Sequence, residues 1–105
     1  MGTEIPEPIA RMLGLARRAR EVTVGLRATT RAAERHTLRI ILLAADASAR
    51  TVAELRRASG ATPVVVMGSM EELGALVGAA PVAVVGVRHG ALALQIGRLA
   101  GKRPG

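Results

Sequence analysis

The chain has 105 residues and a formal charge of +7, from fifteen Lys and Arg against eight Asp and Glu. Half of it is hydrophobic, and it contains no cysteine and no Phe, Tyr or Trp. The length fits one domain with its own core, the apolar fraction argues against a disordered chain, and the missing cysteines exclude disulfides, thiolate chemistry and cysteine zinc sites.

Ile5, Ile9, Met12, Leu13 and Ala16 recur at helical spacing around Pro6 and Pro8. They predict a first amphipathic helix that closes on Arg17, Arg18 and Arg20, basic groups suited to the negative end of a helix dipole. EVTVG (21–25) has room for a short strand. The pattern is helical again from Leu26 to about Arg35, with Gly25 permitting a sharp turn into it. LRIILLAAD (38–46), TPVVVMG (62–68) and PVAVVGV (81–87) are nearly continuous apolar runs of strand length. Runs without alternation predict strands covered on both faces. Between them, SARTVAELRRASG reads as a helix with Val52 and Leu55 inward and Gly60 as its stop. In the next helix, SMEELGALVG, Ser69 and Glu72 have the spacing of a capping box. A last helix, ALALQIGRLAG, precedes the basic tail KRPG. This alternation predicts an α/β single domain over 1–105, a three-layer α/β/α sandwich on a small mixed four-stranded sheet, with short flexible ends at about 1–5 and 101–105.

Fourteen of the fifteen bases are arginine, whose planar fork matches phosphate oxygens, so the charge points first to nucleic acid. Residues 11–39 hold eight arginines against Glu21 and Glu34, a net +6 that is nearly all of the excess. Arg27, Arg31 and Arg35 are four residues apart, drift about 40° per step, and form one stripe on the second helix. The backbone N–H groups behind Gly25 offer a further phosphate site. Single-strand readers stack bases on aromatic rings. With none available, the expected ligand is structured RNA held by backbone, shape and base edges.

No window reaches the roughly 18 uninterrupted apolar residues of a membrane span, and MGTEIPEPIARM lacks the form of a signal peptide, so the expected setting is cytoplasmic. Asp46 is read as a cap for the helix that follows it. His36 and His89 share no motif and are read as structural or solvent-facing, with no metal expected. Glu71 and Glu72 are adjacent, diverge by about 100° on a helix and make no catalytic pair. GVRHG and MGSMEELG lack the glycine patterns that cradle nucleotide phosphates, and no cofactor is expected.

LGLARRAREVTVG, TRAAER, LLAADAS, SMEELGALVG and VAVVGV, in this order from about Leu13 to Val87, resemble the ribosomal protein L7Ae family of kink-turn RNA binders. The likeness is greatest to its bacterial, ribosome-associated YlxQ-like branch. The resemblance implies a sandwich of the same kind that grips RNA with the start of its second helix and two neighbouring loops. Kink-turn readers of the family use Gly-x-Asn-Glu-x-x-x-Lys to contact tandem sheared G·A pairs. Here Gly25 matches the Gly, Arg31 stands as a basic equivalent of the Lys, and Arg35 matches a basic position one turn on. Arg27 replaces the Asn and Ala28 the Glu. Arginine can donate to guanine O6 and N7 but cannot accept from a guanine amino group, and alanine does neither. By the same resemblance, Ser48 takes a loop contact position with Val52 packing nearby. Ser69 and Met70 open the loop where a phosphate-reaching Lys is frequent, and Ala80 lies in a shortened apolar loop that would meet a flipped-out nucleotide.

The expectation is a non-catalytic, monomeric RNA-binding protein for ribosomal or other structured RNA, with no membrane partner and with strict kink-turn recognition disfavoured by Arg27 and Ala28. Two rival classes are a small nucleotide- or anion-binding α/β enzyme, which lacks a nucleophile, base or phosphate loop here, and a basic module that docks an acidic protein.

Overall fold

A computed structural model describes residues 4–101. Nine elements follow in chain order: α1 (Glu7–Arg18), β1 (Val22–Val24), α2 (Leu26–Glu34), β2 (Leu38–Leu43), α3 (Ala49–Ser59), β3 (Val64–Val66), α4 (Met70–Leu76), β4 (Val84–Arg88) and α5 (Ala91–Gly101). Of the ends expected to be flexible, Ile5 packs against the core and α5 runs through Gly101, while residues 1–3 and 102–105 lie outside the described residues.

The strands form one mixed sheet in the order β1-β4-β2-β3. β4 runs antiparallel to both β1 and β2, and β2 pairs in parallel with β3. β1, β2 and β3 therefore point the same way, and their C-terminal ends meet the start of β4 at one edge of the sheet. The expected α/β/α sandwich is the fold. Ile9, Leu13 and Ala16 of α1, Leu73 of α4, and Ala93 and Ile96 of α5 cover one face, against Ile40, Leu42, Val85 and Val87. Ala32 and Ala33 of α2 and Leu55 of α3 cover the other, against Leu38, Ile41, Leu43 and Val84. Each fully buried Leu, Ile or Val contributes roughly 1.5–3 kcal/mol, so both layers can be held without aromatic side chains.

A register shift between Leu38 and Ile40 explains how two residues of equal parity serve opposite faces. Leu38 pairs with Arg88 and Ile40 with Val87, so β2 carries one extra residue, a bulge at Arg39 that turns this side chain to solvent.

Two expectations need correction. The run at 62–68 is not covered on both faces: β3 is an edge strand with β2 as its neighbour, Val64 and Val65 are half-buried, and Val66 is 40% exposed at this margin. Asp46 does not cap α3. Ser48 does, accepting from Thr51 N at 3.1 Å, while Asp46 reaches across 24 residues to accept from the backbone of Met70. Gly60 ends α3 and Ser69 with Glu72 forms the capping box of α4, both as the spacing predicts.

Candidate nucleic-acid interface

The sheet edge that gathers three strand ends also gathers most of the candidate residues. Gly25 is the N-cap of α2, with φ 95° and ψ 162°, a conformation essentially confined to glycine. In it, Gly25 N donates to Val84 O at 2.9 Å while Gly25 O accepts the first helical bond, from Thr29 N at 3.1 Å. The chain thus leaves β1 and starts a helix without an intervening loop. The N–H groups of Leu26, Arg27 and Ala28 precede that first bond, no side chain caps them, and the first turn holds no acid. Among the described residues, positive partial charge at this helix start meets no capping side chain and no first-turn acid.

A buried hydrogen bond fixes the orientation of α2. Thr23 Oγ1 of β1 and Thr29 Oγ1 of α2 are 2.9 Å apart, and Thr29 is fully buried. With Thr29, Ala32 and Ala33 turned to the sheet, helical spacing directs Arg27, Arg31 and Arg35 outward, and all three are exposed. The ion pairs among the described residues join Arg11 to Glu7 and Arg50 to Glu54, so no α2 arginine is tied to a carboxylate. Glu34 takes the other flank, lining a groove between α2 and α3 with Thr30, Glu54, Arg57 and Ala58. Ala28, Arg31 and Arg35 face the opposite side.

Three further loops brace one another beside the α2 start. Ala44 N donates to Ala83 O at 2.8 Å, Ala45 N to Gly68 O at 2.8 Å, and Met70 N to the Asp46 carboxylate at 2.9 Å. Val82 N donates to Met70 O at 2.9 Å. Ser48, Ser69, Met70 and Ala80 are carried on these loops and helix starts, and Val52 stands in the first turn of α3, half-buried against the α2 layer. Some candidates are already engaged. The Ser48 and Ser69 hydroxyls cap helices, and the Met70 side chain packs toward the α1 and α5 layer. Ala80 is exposed, and its carbonyl lies over Gly74 so closely that a Cβ there would overlap it.

Arg35 is separated from the rest. Nine residues beyond Leu26, it lies about 13 Å down the helix axis, near the opposite edge of the sheet. Its neighbours there include Arg88 and Thr37, residues that sequence reasoning passed over as candidates. Arg88 has no local pattern to mark it, since its place beside α2 follows from β4 lying between β1 and β2. Among the described residues no group of three His, Cys, Asp or Glu could hold a metal, and no helix is long and apolar enough to cross a membrane.

Fold and surface together define a small α/β/α domain that presents an arginine-lined helix start beside three cross-braced loops. The sequence matches the ribosomal protein L7Ae/L30e/S12e/Gadd45 family over residues 7–93, and the chain belongs to that family. Among solved structures it is similar to a protein of unknown function from Bacillus halodurans, with a TM-score of 0.83, 26% identity, and coverage of 92% of this chain and 100% of that one. It is also similar in fold to the 15.5 kD RNA-binding protein of Giardia lamblia, with a TM-score of 0.78, 21% identity, and coverage of 95% of this chain and 91% of the other. Among curated protein sequences, none matches.

Proposed function

We propose that the chain is a non-catalytic RNA-binding protein that grips structured RNA, ribosomal RNA first, through the start and outer face of α2 and the loops around Ser48, Met70 and Ala80. Membership of the L7Ae/L30e/S12e/Gadd45 family and likeness to an RNA-binding protein support the ligand class. The observation that carries the reading is the stripe of Arg27, Arg31 and Arg35, exposed, in no ion pair among the described residues, and rising from a helix start without a side-chain cap. Guanidinium forks bind phosphate in bidentate fashion, and the unpaired N–H groups behind Gly25 add donors for one more phosphate. The sequence pattern favours the bacterial, ribosome-associated branch, with the protein acting in the cytoplasm as a monomer.

The chemistry at Arg27 and Ala28 argues for an electrostatic grip in place of sheared G·A readout. A carboxylate at position 28 would accept from guanine; a methyl group cannot. Binding of a kink-turn RNA, and of the same RNA without its G·A pairs, should therefore be nearly equal. Arg27→Gln/Arg31→Gln/Arg35→Gln should weaken both and lower the slope of log K against log salt by roughly 0.9 for each lost phosphate contact. An unchanged slope would refute this assignment of the interface, and a large preference for the G·A-containing RNA would refute the electrostatic account.

A further inference from the structure

The cationic surface does not stop where α2 ends. Arg31 and Arg35 line a groove of about 250 Å³ with Ala28, Thr37 and Arg88. Arg88 also lines a second groove, of about 410 Å³, with Arg17, Arg20, Val22 and Val24. β1 runs between the two. Thr23 faces the first groove, while Val22 and Val24 face the second, so Arg88 joins surfaces on both faces of the sheet around its outer strand.

Ion pairing among the described residues leaves this wrap free. None of Arg17, Arg20, Arg31, Arg35 and Arg88 is in an ion pair among the described residues. Glu21 is the nearby acid in sequence, but its Oε1 is buried without a hydrogen-bond partner and its carboxylate lies against Gly90 at the start of α5. One arginine serves the fold itself, since Arg17 Nε donates to Val77 O at 2.7 Å and ties α1 to the end of α4. Arg20 and Arg88 have no such side-chain bond. Like charges collected around one strand repel one another and work against the compact state, and a polyanion bound there would relieve that repulsion.

We infer that this wrap around β1 is a second phosphate-binding surface, continuous with α2, that takes the backbone of a helical RNA arm running from the α2 start toward the far edge of the sheet. The inference rests on the RNA reading of α2 and extends it. A duplex arm suits the surface better than a single strand, because neither groove is lined by an aromatic ring, the usual platform for unpaired bases, and spaced guanidinium groups match a regular run of phosphates. Double-stranded RNA is held by its phosphates and 2′-hydroxyls, and β1, with β4 as its single neighbour, leaves one backbone edge beside them.

The test compares a short-armed kink-turn hairpin with versions in which each arm in turn is lengthened by one helical turn, against the wild type and Arg20→Gln, a substitution outside the groove that Arg31 and Arg35 line. Wild type should bind one long-armed probe more tightly than the short one. The variant should lose most of that preference, a drop of roughly severalfold on the long probe with a salt slope lower by about 0.9, while the short probe is unaffected. Equal wild-type affinity for short and long probes overturns the inference and leaves the α2 interface standing. Loss of the same factor from both probes also overturns it, because Arg20 would then serve the α2 site. If the arginines merely guard an edge strand from pairing, the variant will keep every affinity and self-associate in sedimentation, which again overturns the proposal. Failure of the wild type to bind any probe removes the RNA reading itself. Far-UV circular dichroism of the variant guards against a folding defect.

Discussion

The same substitution at two helical glycines should have opposite effects. Gly14 lies in α1 with nothing within 4 Å of where a Cβ would stand. Gly74 lies in α4 under the 79–80 loop, where a Cβ would overlap the Ala80 carbonyl oxygen and sit 2.8 Å from the Ala80 carbon and 3.0 Å from Ala79 O. Alanine in place of glycine favours a helix interior by up to about 1 kcal/mol, so Gly14→Ala should stabilise by roughly that amount. Gly74→Ala gains the same term but must push backbone aside, an overpacking cost of about 1–3 kcal/mol. The two variants should thus differ by about 1–3 kcal/mol, which in a domain of this size separates their melting temperatures by at least about 4 °C, Gly74→Ala the lower. The protein has no Trp or Tyr to report unfolding, so calorimetry or far-UV circular dichroism is the assay. A Gly74→Ala protein that melts with or above Gly14→Ala would refute the argument and mean that the 79–80 loop yields freely.

Two other substitutions probe how α2 is held. Gly25→Ala forces a side chain into a glycine conformation and should cost about 1–3 kcal/mol in thermal stability, with RNA affinity falling as the helix start is displaced; a stability equal to wild type would show that the turn can relax. Thr23→Val and Thr29→Val should each cost about 1–3 kcal/mol by leaving one buried hydroxyl unpaired, whereas the double variant should cost less than the sum of the two, a coupling that a double-mutant cycle in denaturant measures and that simple additivity would disprove.

Features written in short stretches of chain were legible before any coordinates. The apolar runs mark β2 and β4, the Ser69 and Glu72 spacing gives the α4 cap, and four-residue spacing places Arg27, Arg31 and Arg35 on one exposed stripe. Features that depend on which strand lies beside which were not. Thr23 and Thr29 meet because α2 folds back over β1, and Asp46 finds Met70 because β2 and β3 end side by side. Arg88 joins the arginine surface because β4 enters the sheet between β1 and β2. Strand order also explains the misjudged run at 62–68: a string of valines reads alike in the middle of a sheet and at its margin, where Val66 is left 40% exposed.

The cross-bracing of the four segments at the sheet edge bears on how a complex would form. Gly25 is latched to Val84, Ala45 to Gly68, and Met70 to both Asp46 and Val82, so the shape of this edge is set by the protein's own hydrogen bonds. Under the proposed function, a template with so little slack leaves shape change to the nucleic acid. Apparent affinity would then scale with the fraction of RNA molecules already bent to fit, and ions or sequence changes that favour the bent form would strengthen binding without touching a single protein contact.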